Sequence, residues 1–180
     1  MILDRKFYSR DTATVAYDLL GKRLVRKLGG VVLSGTISET EAYGHADDPA
    51  SHAYRKMTRR NAAMFGQVGR AYVYFTYGMH YCFNVVARPK SSAAGAVLIR
   101  AILPDTGIDT MVQNRGRKKN LTDGPAKLAQ ALCITKKEYG VDLTAPGPLH
   151  IADGRKPQHV VVSPRVGVKD TRRWNYSIER

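Results

Sequence analysis

Val31-Val-Leu-Ser-Gly-Thr-Ile-Ser-Glu-Thr-Glu-Ala-Tyr43 is the stretch on which the fold turns. Its alternation is that of a long β-strand, with Leu33, Gly35, Ile37, Glu39, Glu41 and Tyr43 on one face and Ser34, Thr36, Ser38 and Thr40 on the other. The face that begins apolar ends with two carboxylates and a phenol, which a purely structural strand has no reason to do. Gly29-Gly30 precedes it, and residues 23–28 complete a hairpin. Further out, residues 72–75 and 81–86 are aromatic and β-branched and are joined through Tyr77-Gly78-Met79, which predicts a second hairpin. Residues 94–102 form an apolar strand broken only by Arg100, whose guanidinium needs a partner if it is buried. Asp11 caps a helix that runs to Leu20 and stops at Gly21. Pro104-Asp105 and Gly124-Pro125 open two more helices, the first with Ile108, Met111 and Val112 inward, the second with Leu128, Ala131 and Leu132. Short strands are expected at residues 159–162 and 165–168. Hairpins with a few helices and no βαβ alternation make the chain α+β. The expected architecture is a single domain over residues 1–180, a curved, mostly antiparallel sheet with helices packed around it and a protruding hairpin.

Lys plus Arg number 29 and Asp plus Glu 15, so the formal net charge is +14. The charge is unevenly spread. Residues 49–104 hold no acid but eight bases: Arg55, Lys56, Arg59, Arg60, Arg70, Arg88, Lys90 and Arg100. Arg115, Arg117, Lys118 and Lys119 form a second basic run, whereas Glu39, Glu41, Asp47 and Asp48 crowd into ten residues. A polyanion is the natural partner, because each neutralised phosphate releases counterions. No apolar run approaches eighteen residues, so no membrane helix is expected. The N-terminal Met1-Ile-Leu-Asp-Arg-Lys-Phe-Tyr8 lacks a leader's apolar stretch, and the expected location is cytoplasmic, with the nucleoid or nucleus reached through DNA. Cys82 and Cys133 make neither a metal spacing nor a disulfide framework. Phosphate-loop, dinucleotide, zinc-protease and nucleophile-elbow motifs are all missing, so neither cofactor nor metal is expected.

Six blocks stand in order: Glu39-Thr-Glu-Ala-Tyr43; Asp48-Pro-Ala-Ser-His52 with Thr58-Arg-Arg-Asn61; Tyr72-Val-Tyr-Phe-Thr-Tyr-Gly-Met-His80 running to Asn84; Val97-Leu-Ile-Arg-Ala101; Gly124-Pro-Ala-Lys-Leu128; and Arg165-Val-Gly-Val168. In this order and spacing the chain resembles the alkyladenine (3-methyladenine, methylpurine) DNA glycosylases, over about residues 3–168. The resemblance implies a monomeric repair enzyme acting on double-stranded DNA that contains damaged purines. It would flip an alkylated or deaminated purine and hydrolyse its N-glycosidic bond, leaving an abasic site. By position, Glu41 would be the general base, with Arg100 and the Val166 carbonyl holding its water. Tyr43, His52 and Tyr74 would form the base pocket, and Asn84 would crowd the 2-amino group of guanine. Tyr77 would enter the duplex as a wedge. No lysine nucleophile is implied, so hydrolysis would proceed without strand cleavage.

The physical chemistry agrees with these roles. Flipping a base costs a few kcal/mol, and stacking on aromatic rings returns about 1–3 kcal/mol per base. Plainer readings exist for each group: a solvated strand end for Glu39 and Glu41, core packing for the tyrosines, a structural ion pair for Arg100. Two other functions compete with the glycosylase: a non-catalytic nucleic-acid-binding module on the same basic aromatic face, and a hydrolase of free nucleosides. The chain also departs from the family at Trp174-Asn-Tyr-Ser-Ile-Glu-Arg180, with Asn175 where an arginine is common. That departure bears on the last strand and on one phosphate contact.

Overall fold

A computed structural model describes residues 1–179. Two short helices, α1 (Arg5–Tyr8) and α2 (Thr12–Asp18), lead into the hairpin β1 (Arg23–Leu28) and β2 (Val31–Tyr43). After a long loop come α3 (Ala62–Phe65), β3 (Ala71–Thr76), β4 (His80–Val86), β5 (Ala96–Thr106), α4 (Ile108–Arg115) and α5 (Pro125–Ala131). A 3₁₀ turn at Lys136–Glu138 precedes β6 (Leu149–Ala152), β7 (Val160–Ser163) and β8 (Asn175–Ile178). The main path of the sheet is β3-β4-β5-β2-β1-β6, and β8 joins it through β2 and carries β7. Every named pairing is antiparallel. The α+β class and the curled antiparallel sheet are thus as expected.

Local chemistry explains the elements. The Asp11 carboxylate accepts from the Thr14 amide and caps α2, and Gly21 leaves the helix at φ +81°. Pro125 starts α5, where its missing N–H is no loss. The apolar face of the sheet packs on α2 and α5 through Val15, Leu19, Ile37, Phe83, Ile99, Leu128 and Leu132, all fully buried. A small second cluster, Ala53, Met64, Tyr72, Val86, Ala94 and Ala96, lies under the long loop.

Strand β2 departs from the simple alternation. Between Ile37 and Glu39 it advances two residues while β5 advances one (Ile102 to Ala101), so Ser38 is a bulge. Between Glu39 and Thr40 the converse occurs, and Arg100 is the extra residue on β5. A bulge inverts the parity of side chains beyond it. Leu33 and Ile37 therefore face the core, but so do Thr40, whose hydroxyl donates to Ala16 O at 2.7 Å, and Ala42. Glu39, Glu41 and Tyr43 do not continue the apolar face; they project from the opposite one. Arg100 is delivered to that same side.

Two further expectations are corrected. Pro104 and Asp105 remain in β5, and helix α4 begins only after Gly107, whose φ of +73° makes the break. Proline is tolerated in the strand because it sits opposite Gly35 at another register shift. Residues 165–168 form no strand; they make a turn around Gly167 at φ +72°.

Candidate active site

The register places a row of residues across five strands: Tyr72 opposite Asn84, Asn84 opposite Leu98, Leu98 opposite Glu41, and Glu41 opposite Asn175. Directly paired residues share a face, so a tyrosine, an amide, a carboxylate and a second amide stand on the side away from the main core. A cavity of about 100 Å³ opens along this row, lined by Tyr43, Ala50, His52, Met64, Tyr72, Tyr74, Asn84, Ala96 and Val168. It has three phenols and no lysine.

Glu41 lies just behind the Tyr43 wall and is fully buried. Its Oε1 accepts from the Val166 amide at 2.7 Å and from Asn175 Nδ2 at 3.1 Å. Its Oε2 accepts from the Tyr43 hydroxyl at 2.8 Å, with the Arg100 guanidinium at 3.5 Å. Arg100 turns its Nε to Glu39 at 2.8 Å. Its burial disfavours the charge, but Glu41 and Glu39 outweigh that and hold it firmly protonated. Val166 meets Glu41 through its N–H. The turn at Gly167 aims that amide inward.

The loop after β2 is held by two buried polar side chains. Asp48 accepts from the Gly44 and Ala50 amides and from both terminal nitrogens of Arg165, each at 2.8 Å. Asn61 donates to the carbonyls of His52 and Lys56 and accepts from the Thr58 amide. The Asp48 and Thr58–Asn61 blocks of the sequence thus set the path that brings His52 to the cavity. There His52 Nδ1 and the Tyr72 hydroxyl lie 2.8 Å apart, and the His52 ring meets Tyr74 edge-on at 4.6 Å. Burial and the Arg60 charge lower the pKa of His52, favouring a neutral ring. Burial raises the phenols of Tyr43, Tyr72 and Tyr74 and the thiol of Cys82, so each presents its protonated form. Arg165 spans the back of the site, with its guanidinium 4.7 Å from the Tyr43 ring centre and 5.3 Å from that of Trp174.

Asn84 is buried in the cavity wall, its Nδ2 bonded to Tyr72 O at 3.0 Å. Tyr77 stands apart from all of these, 89% exposed in the turn between β3 and β4. Its φ is +51° and that of Gly78 +67°, and the Met79 amide closes the turn on Thr76 O. Of the expected site residues, then, Glu41, Arg100, Val166 and Tyr43 meet directly, while His52, Tyr74 and Asn84 join Tyr43 around the cavity. Tyr77 touches neither group.

Residues 6–180 match the family profile of methylpurine-DNA glycosylase (MPG). The chain belongs to that family. A relative from Carboxydothermus hydrogenoformans is 52% identical, over 93% of this chain and 89% of its own length. One from Methanocella arvoryzae is 45% identical over 93% and 84%, and one from Clostridium tetani 43% over 99% and 96%. All three carry 3-methyladenine DNA glycosylase as a provisional name.

Sequence reasoning missed three residues that build this candidate site. Asn175 was tied to a phosphate contact, but it is 3% exposed and donates to both carboxylates. Strand β8 is also intact, paired with β2 and β7. Glu39 and Arg165 had no assigned role. Their signal was a charge inside an apolar context, visible for Glu39 in the alternation and for Arg165 only through contacts 117 residues away. Among the described residues no three His, Cys, Asp or Glu groups converge as metal ligands, and no helix is long and apolar enough to cross a membrane.

Proposed function

We propose that this chain is a monofunctional DNA glycosylase, one domain over residues 1–180, that works as a monomer on double-stranded DNA. It excises 3-methyladenine and other alkylated or deaminated purines and leaves an abasic site. The observation that carries this is the buried Glu41 carboxylate, one hydrogen bond behind the wall of an aromatic cavity. Burying a carboxylate is costly, and a module that only bound DNA would gain nothing from a negative charge there.

The flipped purine enters between Tyr43 and Tyr74, whose rings stack on it. A purine carrying an alkyl group is often cationic, which both rings favour and which makes it a good leaving group. Glu41 takes a proton from a water whose oxygen bonds to the sugar C1′. The C1′–N bond breaks and its electron pair leaves with the base. Arg100 and the segment at Val166 hold the carboxylate and water in line, His52 donates its backbone N–H to the purine edge, and Asn84 leaves no room for the 2-amino group of guanine. Tyr77 fills the gap left in the duplex. A bulky side chain at positive φ is strained by about 1 kcal/mol or more, and holding an aromatic ring there in water is what a wedge requires. The basic segment 49–104 supplies phosphate attraction, and DNA association places the enzyme with the chromosome.

The test is single-turnover excision from alkylated duplex DNA by Glu41→Gln. Base release falls by about 10²-fold or more, the scale of general-base catalysis, while lesion binding persists. Near-normal release by the variant refutes the general-base role; no base release by the wild-type protein refutes the glycosylase in favour of the binding module.

A further inference from the structure

Glu39 has no place in the chemistry above, yet it sits in the middle of it. Its Oε1 accepts from Arg100 Nε at 2.8 Å and from Asn175 Nδ2 at 2.9 Å, and that same Asn175 nitrogen is 3.1 Å from Glu41. Two carboxylates thus share one guanidinium and one amide. We infer that Glu39 is a positioning residue: it holds Arg100 at a distance from Glu41 and keeps one acceptor position of the general base open for water. The inference rests on the proposed glycosylase reading.

A carboxylate oxygen accepts two hydrogen bonds well. On Glu41, Oε1 is filled by the Val166 amide and Asn175, and Oε2 takes the Tyr43 hydroxyl. The remaining direction on Oε2 meets only the long 3.5 Å approach of Arg100. It is where a water can deliver its proton. An unrestrained guanidinium prefers a two-pronged grip on a carboxylate. Such a grip on Glu41 would close that direction and make the carboxylate a poorer base. Glu39 restrains the guanidinium through Nε, so that one terminal nitrogen alone faces Glu41, at 3.5 Å. The pair of carboxylates with one arginine also leaves one negative charge in excess beside a sugar that becomes positive as the base departs.

The groups facing Glu41 define what a pH profile reads. They are Glu39 and Tyr43 from β2, Arg100 from β5, Cys82 from β4, Asn175 from β8 and the Val166 amide from the turn. Arg165 stands behind Tyr43, already paired with Asp48 and Asp170. Removing the Glu39 charge and removing the Asn175 amide therefore act on Glu41 in opposite senses.

The experiment is single-turnover excision across pH by Glu39→Gln and Asn175→Ala, with lesion affinity and thermal melting measured on the same samples. Glu39→Gln keeps the shape and a neutral acceptor but loses the charge that restrains Arg100, which can then close on Glu41. Excision near neutrality falls about tenfold, a fraction of the general-base contribution, with lesion affinity unchanged. The acid limb of the profile moves to lower pH, because a like charge is lost and an opposite one comes nearer. Asn175→Ala leaves the three charges and deletes the neutral donor, and the acid limb moves to higher pH. A structural role for either residue scales the whole profile without moving its limb. Glu39→Gln protein that melts and excises as the wild type does, with the same limb, overturns the inference. Should that variant not fold, an unmoved limb in Asn175→Ala overturns it instead. Wild-type protein that releases no base at any pH is a separate result, and it removes the underlying reading before either variant is made.

Discussion

Asp48→Ala tests how the cavity is held. Asp48 and Arg165 are both fully buried and joined by two hydrogen bonds of 2.8 Å. Removing one partner of such a pair costs about 3–5 kcal/mol, because a charge is left in the interior without its counter-ion. Arg165 retains Asp170 at 2.8 Å and the Ala42 carbonyl at 3.0 Å, which places the loss near the lower end. The Gly44 amide, 2.8 Å from Asp48, also loses its acceptor, adding about 1 kcal/mol. The expected destabilisation is about 4 kcal/mol, and a chain of this size shifts by roughly 2–4 °C per kcal/mol. Calorimetry and urea unfolding should therefore show a melting temperature lower by about 8–16 °C. Arg165→Met added to Asp48→Ala should recover part of the loss, since an apolar side chain needs no counter-charge. A single variant within about 1 kcal/mol of the wild type would refute the reasoning: the pair would then be solvated, and Tyr43 would have some other support behind it.

Tyr77→Ala should weaken binding to lesion-containing duplex by about 1–3 kcal/mol, the scale of one stacked base; unchanged anisotropy titrations on lesion and normal DNA would remove the wedge. Stability should also fall in acid. Burial raises the Asp48 pKa, but Arg165 and the Gly44 amide more than reverse that, and Asp142 is likewise depressed by Thr144 and Arg5. A depressed carboxylate contributes stability that is fully present above its unfolded value of about 3.9 and is lost as pH falls through the folded one. The melting temperature should be level with respect to these two groups above about pH 5 and decline below about pH 4, and an equally steep decline in Asp48→Ala would exclude Asp48 as a source.

The β1–β2 hairpin, the capped α2 and the Pro125 helix were legible because each is set by local chemistry. Glu41 was legible too, from a carboxylate in a strand that had been apolar. Its facing was misread for an instructive reason. Alternation assumes an unbroken strand, and the bulges at Ser38 and Arg100 exist only in the register between β2 and β5. Residues 165–168 alternate like a strand, yet Gly167 at φ +72° and the pull of Asp48 on Arg165 make them a turn. Pro104 looked like a helix start, since nothing local says that Gly35 would stand opposite and let the strand run through. What a neighbour in space decides, a neighbour in sequence does not announce.

The groups that hold Glu41 come from residues 43, 100, 166 and 175, so the last of them is 134 positions downstream. Closing contacts of such span costs more chain entropy than closing the local hairpins and helices. A nascent polypeptide from which residue 100 has emerged carries most of the residues that line the cavity, but its loop after β2 lacks Arg165 and its carboxylate has neither the Val166 amide nor the Asn175 side chain. The hydrogen-bond shell of Glu41 is therefore complete only once the final strand is in place.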